Sequence, residues 1–108
     1  VFCIAGEIFD VIVDIRPDSL TFGEWSSTIL SSKKMNAIYV PKGFAHGYQT
    51  LTNKCQMLYF HTEVYKQKCE GGFSFKSPCL SIPWPLHPTN ISKKDLKLDN
   101  FSGKKYDL

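Results

Sequence analysis

The stretch "EIFDVIVDIR", residues 7–16, alternates strictly. Phe9, Val11, Val13 and Ile15 fall on one face of a two-residue period, and Ile8, Asp10, Ile12 and Asp14 fall on the other. It is rich in β-branched residues, so it reads as a strand. Its second face is half acidic and half aliphatic. A carboxylate set among isoleucines either reaches the solvent edge or lines a cavity.

Outward from this strand the chain continues in short extended pieces. "RPDSLTFGEW" (16–25) is turn chemistry, broken by Pro17, Asp18, Ser19 and Gly23. "EWSSTILSS" (24–32) reads as a second strand and "NAIYVP" (36–41) as a third that ends on Pro41. "GFAHGYQTL" then turns on Gly43 and Gly47 into a fourth strand. "CQMLYFHTEVY" (55–65) alternates again, with Thr52, Asn53 and Lys54 supplying a hairpin before it. The segment 69–88 carries two glycines and four prolines. It reads as irregular, with brief extended pieces such as "LSI". Ser92 caps a short helical turn. Strands at short spacing with almost no helix signal predict an antiparallel all-β sandwich or barrel in one domain.

Composition narrows the class. At 108 residues the chain is one domain, and 43% hydrophobic with 21% charged residues describes a packed globule. The net charge of +3 is spread over small lysine clusters, so no nucleic-acid partner is expected. No apolar run reaches the length of a membrane span, so no membrane partner is expected. The chain opens directly in strand-like sequence, with no leader read there. Cys3, Cys55, Cys69 and Cys79 form no C-x-x-C pair, so neither a zinc knuckle nor a redox motif is expected; an even count fits disulfides in a secreted protein, but with no leader read the simpler expectation is four reduced thiols and a cytoplasmic location. Without H-x-H or H-E-x-x-H, no metal site is expected.

Among residues able to do chemistry, His46 stands out. It lies between Phe44 and Tyr48 with glycines close by. There it either hydrogen-bonds a ligand oxygen or braces a turn through a carbonyl. Tyr59 and Tyr65 lie along and at the end of the last strand, where a phenol either donates a proton into a barrel mouth or packs at the rim. His61 reads as a strand-edge residue, and His87 and Asp95 as surface. No nucleophile elbow and no phosphate-cradling glycine loop is present.

Taken in order, "GEIFDVIVDIR", "TFGEW", "VPKGFAHGYQTL", "LYFHTEVY", "LSIPWPL" and "ISKKD" resemble the dTDP-4-dehydrorhamnose 3,5-epimerase family of nucleotide-sugar enzymes, from about Val1 to Asp95. The resemblance implies a cupin-type jelly roll, a homodimer, and a site inside the barrel that uses neither metal nor cofactor. It implies a dTDP-linked 4-keto-6-deoxy sugar as substrate, epimerised at C3 and C5 by proton removal and return. It gives the acid to Tyr65, in the T-x-x-Y pattern "TEVY". It makes Asp95, in "SKKD", the partner of a histidine base. Asp10, His46 and Tyr59 match positions lining the sugar pocket. Rival expectations are a non-catalytic binding module of the same fold and a single-centre 3- or 5-epimerase or ketoisomerase. Three departures stand out. The family's base sits in an R-G-L-H motif ahead of "GEIFDV", which this sequence does not contain. That leads us to expect a single domain over residues 1–108 that is partial at its N-terminus and lacks its first strands. Gln67 replaces a proline of the family pattern. Phe75 and Ser77 stand where it has tryptophan and aspartate.

Overall fold

Alternation in residues 7–16 becomes the central strand of the molecule. In the computed structural model, which describes residues 1–60 and 72–103, strand β1 spans Phe2–Ala5 and β2 spans Glu7–Asp14. Strand β3 spans Trp25–Ser31, β4 Phe44–Thr50 and β5 Gln56–Leu58. One short helix, α1, covers Lys93–Leu96. Antiparallel pairing joins β3 and β4 to either side of β2, and β1 pairs antiparallel with β5 in a separate ribbon.

The two faces of β2 meet different neighbours, as a period of two requires. Phe9, Val11 and Val13 pack on Leu80 and Phe101, with Trp84 and Phe73 at the margin. The irregular segment after residue 72 is therefore a cover for this face. It is pinned by Trp25 Nε1 donating to the Leu80 carbonyl (2.7 Å) and Trp84 Nε1 donating to that of Phe75 (3.0 Å). On the opposite face Ile8 joins Cys3 and Leu30 in a small core that Met57 and Cys55 close from the ribbon side. Ile8 and Leu30 are fully buried, and each such side chain stabilises the fold by about 1.5–3 kcal/mol.

Four sequence expectations change. The stretch 36–41 is not a strand. Asn36 instead uses its side chain on β3, accepting from Ser31 N and donating to the Ile29 carbonyl. Only Ala37 forms a bridge, to Phe2. Second, the turn into the fourth strand does not run on to Gly47: the strand already begins at Phe44. Gly43, at φ 89°, makes the turn. Gly47 lies in mid-strand opposite Val11, under the ring of Trp84. Third, residues 52–54 do not form a hairpin, because β5 pairs with β1 and not with β4. The "LSI" piece is also not extended, since Ser81 has φ 50°. The Ser92 cap is present: its side chain accepts from Asp95 N. Of the strand read over 55–65, residues 61–65 lie outside the described residues.

Candidate functional site

Pairing in register puts the chemistry on the Ile8 face of β2. Asp10 lies opposite Thr28 on β3 and Tyr48 on β4, and Ile12 lies opposite Ser26 and His46. Directly paired residues share a face, so hydroxyl, imidazole, phenol and carboxylate groups collect on one surface. Across from them Tyr59 follows β5.

Asp10 is completely buried, and its Oδ2 lies 2.6 Å from His46 Nε2. With the carboxylate accepting, Nε2 carries the hydrogen, and Nδ1 is the nitrogen left to meet a ligand. The His46 side chain keeps 19% of its surface. The other oxygen, Asp10 Oδ1, is buried with no hydrogen-bond partner among the described residues. Buried polar atoms are almost always paired, so this one marks a site whose polar groups are not all used by the fold. The rings of Tyr48 and Tyr59 both stand 6.2 Å from the His46 ring, one tilted and one edge-on. Partial burial pushes the Tyr59 phenol above its ordinary ionisation range. The neighbouring Tyr48 hydroxyl and the Asp10 carboxylate add to the shift. Tyr59 is thus held as a protonated donor.

Four residues on from Asp10 the same face ends in a second buried carboxylate. Asp14 accepts from Arg16 N, Nε and Nη2 at 2.9–3.0 Å, and from the hydroxyls of Ser19 and Thr21. The Arg16 guanidinium, aided by Ser19 and Thr21 against the effect of burial, holds Asp14 well below the usual carboxylate range. Arg16, a basic group at a strand end suited to a diphosphate, is committed to Asp14 and lies over the Phe44 ring at 4.9 Å.

Of the five residues singled out from sequence, Asp10, His46 and Tyr59 come together. Asp95 does not join them: it is exposed on α1, and among the described residues no hydrogen bond or ion pair links its carboxylate to the other three. Tyr65, like His61, lies outside the described residues. His87 is exposed, as expected. Tyr48 was missed. Its signal is its place two residues after His46, which becomes a shared face only once 44–50 is a strand. Among the described residues no group of three histidine, cysteine or acidic side chains could hold a metal ion, and no helix is long and apolar enough to cross a membrane.

Comparison with known proteins points one way. Residues 1–103 match the family model described as dTDP-4-dehydrorhamnose 3,5-epimerase. The enzyme of that name from Methanothermobacter thermautotrophicus is 41% identical over 95 residues, which is 85% of this chain and 51% of the relative. Among solved structures, the Bacillus anthracis dTDP-4-dehydrorhamnose 3,5-epimerase with TDP and PPi bound superposes with a TM-score of 0.83 at 37% identity. The match covers 93% of this chain and 57% of that one. A dTDP-6-deoxy-D-glucose-3,5-epimerase from Legionella pneumophila, in complex with dTDP-4-keto-L-rhamnose, gives 0.81 at 38% identity, over 92% and 53%. The fold is thus the antiparallel cupin-type jelly roll of these epimerases. The chain spans about half the length of the curated relatives it matches.

Proposed function

Since the chain belongs to the dTDP-4-dehydrorhamnose 3,5-epimerase family, we propose that it serves a cofactor-independent nucleotide-sugar epimerase. That enzyme acts on a dTDP-linked 4-keto-6-deoxy sugar as a cytoplasmic homodimer. The observation that carries this reading is the buried Asp10 against His46, walled by Tyr48 and Tyr59.

A proton beside a ketone is weakly acidic, and its removal leaves an enolate. Catalysis needs a base, a group at the keto oxygen, and a donor on the opposite face. In this proposal Asp10 fixes the imidazole ring and His46 meets the sugar's oxygen through Nδ1. The resemblance gives the base to a histidine partnered by Asp95 and the donor's role to Tyr65. Position supports Tyr59 as a donor as well, because it is the phenol beside His46 and is held protonated. Comparing Tyr59→Phe with Tyr65→Phe assigns the step: the variant that keeps exchange but loses inversion has lost the donor.

The test is incubation of the chain joined to the family's upstream R-G-L-H segment, which supplies the base that this sequence does not contain, with a dTDP-4-keto-6-deoxy sugar in deuterium oxide, followed by NMR. Deuterium entering at C3 and C5 is expected. Tight binding of the sugar with no exchange at either carbon would overturn the reading in favour of a binding module. Exchange at one carbon alone would make the protein a single-centre relative.

A further inference from the structure

The ribbon of β1 and β5 has two faces, and its register settles what each carries. Cys3 and Met57 pair directly and turn inward onto Ile8 and Leu30, with Ile38 beside them. The residues between them turn outward. Phe2 pairs with Leu58, and Ile4 and Phe60 continue the same alternation. A bridge from Phe2 to Ala37 brings Tyr39 to this face from a third segment. Phe60, Tyr39 and Ile4 keep 74%, 77% and 54% of their surface. The rings of Phe2 and Phe60 stand edge to face at 6.0 Å. Ala37 and Gln56, also exposed, complete the face, so no residue that the register places on it carries a charge.

We infer that this outer face of the ribbon is where two copies of the chain meet about a twofold axis. The inference deepens the homodimer of the proposed function and rests on that reading. Area argues for it first. The large apolar side chains of the face leave roughly 550 Å² open, at the upper end of what a monomer exposes in one patch. Two copies bury about 1,100 Å², above the ~1,000 Å² that marks a specific interface. Charge argues for it next. Each copy carries +3, so lysine-bearing surfaces repel one another, whereas an uncharged face meets itself without burying an unpaired ion. A twofold axis sets the same patch against itself, as an apolar, uncharged face allows. The place of this face matters to the site. Leu58 turns outward between Met57 and Tyr59, while Tyr59 reaches the His46 ring. The ribbon is one layer thick there, and two strands alone are marginal. The partner copy therefore backs the wall that carries Tyr59.

Sedimentation equilibrium of the full chain reads the mass directly, and a value near twice 12.3 kDa is expected. Phe60→Glu and Ile4→Lys each set a charge inside the contact. Each is expected to weaken association by about 100-fold or more and return the mass to that of one chain. Leu20→Lys is the control. Leu20 is fully exposed in the 16–25 turn, away from the ribbon, and its variant should stay dimeric. Far-UV circular dichroism checks that each variant is folded. A second measurement needs no variant: hydroxyl-radical oxidation of Phe2, Tyr39 and Phe60 should slow as protein concentration rises, while that of Leu20 stays constant. A single-chain mass at every concentration overturns the inference. So does a dimer that survives both charged variants, or one that Leu20→Lys splits equally. Protection of Phe2, Tyr39 and Phe60 in a monomer joined to the upstream R-G-L-H segment also overturns it and gives the face to that segment. None of these outcomes depends on turnover. A dimer that Phe60→Glu splits supports the interface even where the sugar gains no deuterium, a result that overturns the epimerase reading alone.

Discussion

Asp10 and Asp14 sit four residues apart on the same face of the same strand, and both are buried. Their surroundings differ sharply. Asp14 is saturated: three N–H groups from Arg16 and two hydroxyls satisfy both oxygens. Among the described residues Asp10 has one partner, His46, and one oxygen without a hydrogen bond. A carboxylate whose every lone pair is used locks the 16–21 turn onto the end of β2, and its free energy goes into the fold. A carboxylate left half-used costs stability, because a buried unpaired acceptor is unfavourable by about 1–3 kcal/mol. Such a cost persists where the arrangement does other work. The difference teaches that burial and residue type do not separate a structural acid from a functional one. The inventory of partners does.

His46→Asn removes the imidazole from the site in the proposed reaction. A drop of about 10²–10³ in exchange rate is expected, the range for losing one preorganised group at a developing oxyanion. Solvent-deuterium incorporation measures it, and the melting temperature should stay within a few degrees. Next comes Asp14→Asn. It strips a negative charge from a set of donors aimed at it, and a loss of about 2–4 kcal/mol is expected from urea denaturation.

A third effect is acid sensitivity. The folded Asp14 ionises below its ordinary value of 3.8. The unfolded chain therefore takes up the proton first as pH falls. Its stabilisation is complete above that value and is lost as pH falls below it toward the depressed folded value. Melting temperature against pH should show a steep acid decline that is shallower in Asp14→Asn. Asp10→Asn should leave that part of the slope in place. Smallest are Ser19→Ala and Thr21→Ala, each removing one of five donors to Asp14, for about 0.5–1.5 kcal/mol apiece. If either costs nothing, the Arg16 bonds alone carry the turn.

How much of this was legible in the sequence varies with distance along the chain. The alternation of residues 7–16 is local, and the strand and its two faces follow from it. The partners of Asp14 are also local, at two to seven residues, inside a stretch already marked as a turn. The partner of Asp10 lies 36 residues away. Nothing in "IFDV" selects His46 until β4 is laid against β2. Gly43 and Gly47 together suggested the turn into the fourth strand, yet only Gly43 bends the chain, while seven register pairs with β2 hold residues 44–50 straight. "NAIYVP" shows the opposite failure. Its residues favour a strand, but Asn36 ties its start to β3 and the segment forms a single bridge to Phe2. Resemblance supplied what local pattern could not for Asp10, His46 and Tyr59. It also named Asp95, which is exposed on α1 in this structure, and Tyr65, which lies outside the described residues.

The most direct test of the central claim sets Asp10→Asn beside Asp14→Asn in one experiment, recording melting temperature and deuterium exchange per folded molecule. The two variants are expected to separate. Asp10→Asn should lose exchange by about a hundredfold while melting near the parent, and Asp14→Asn should melt markedly lower while exchanging normally where folded. Asp10→Asn with full exchange, or both variants failing in the same way, would contradict it.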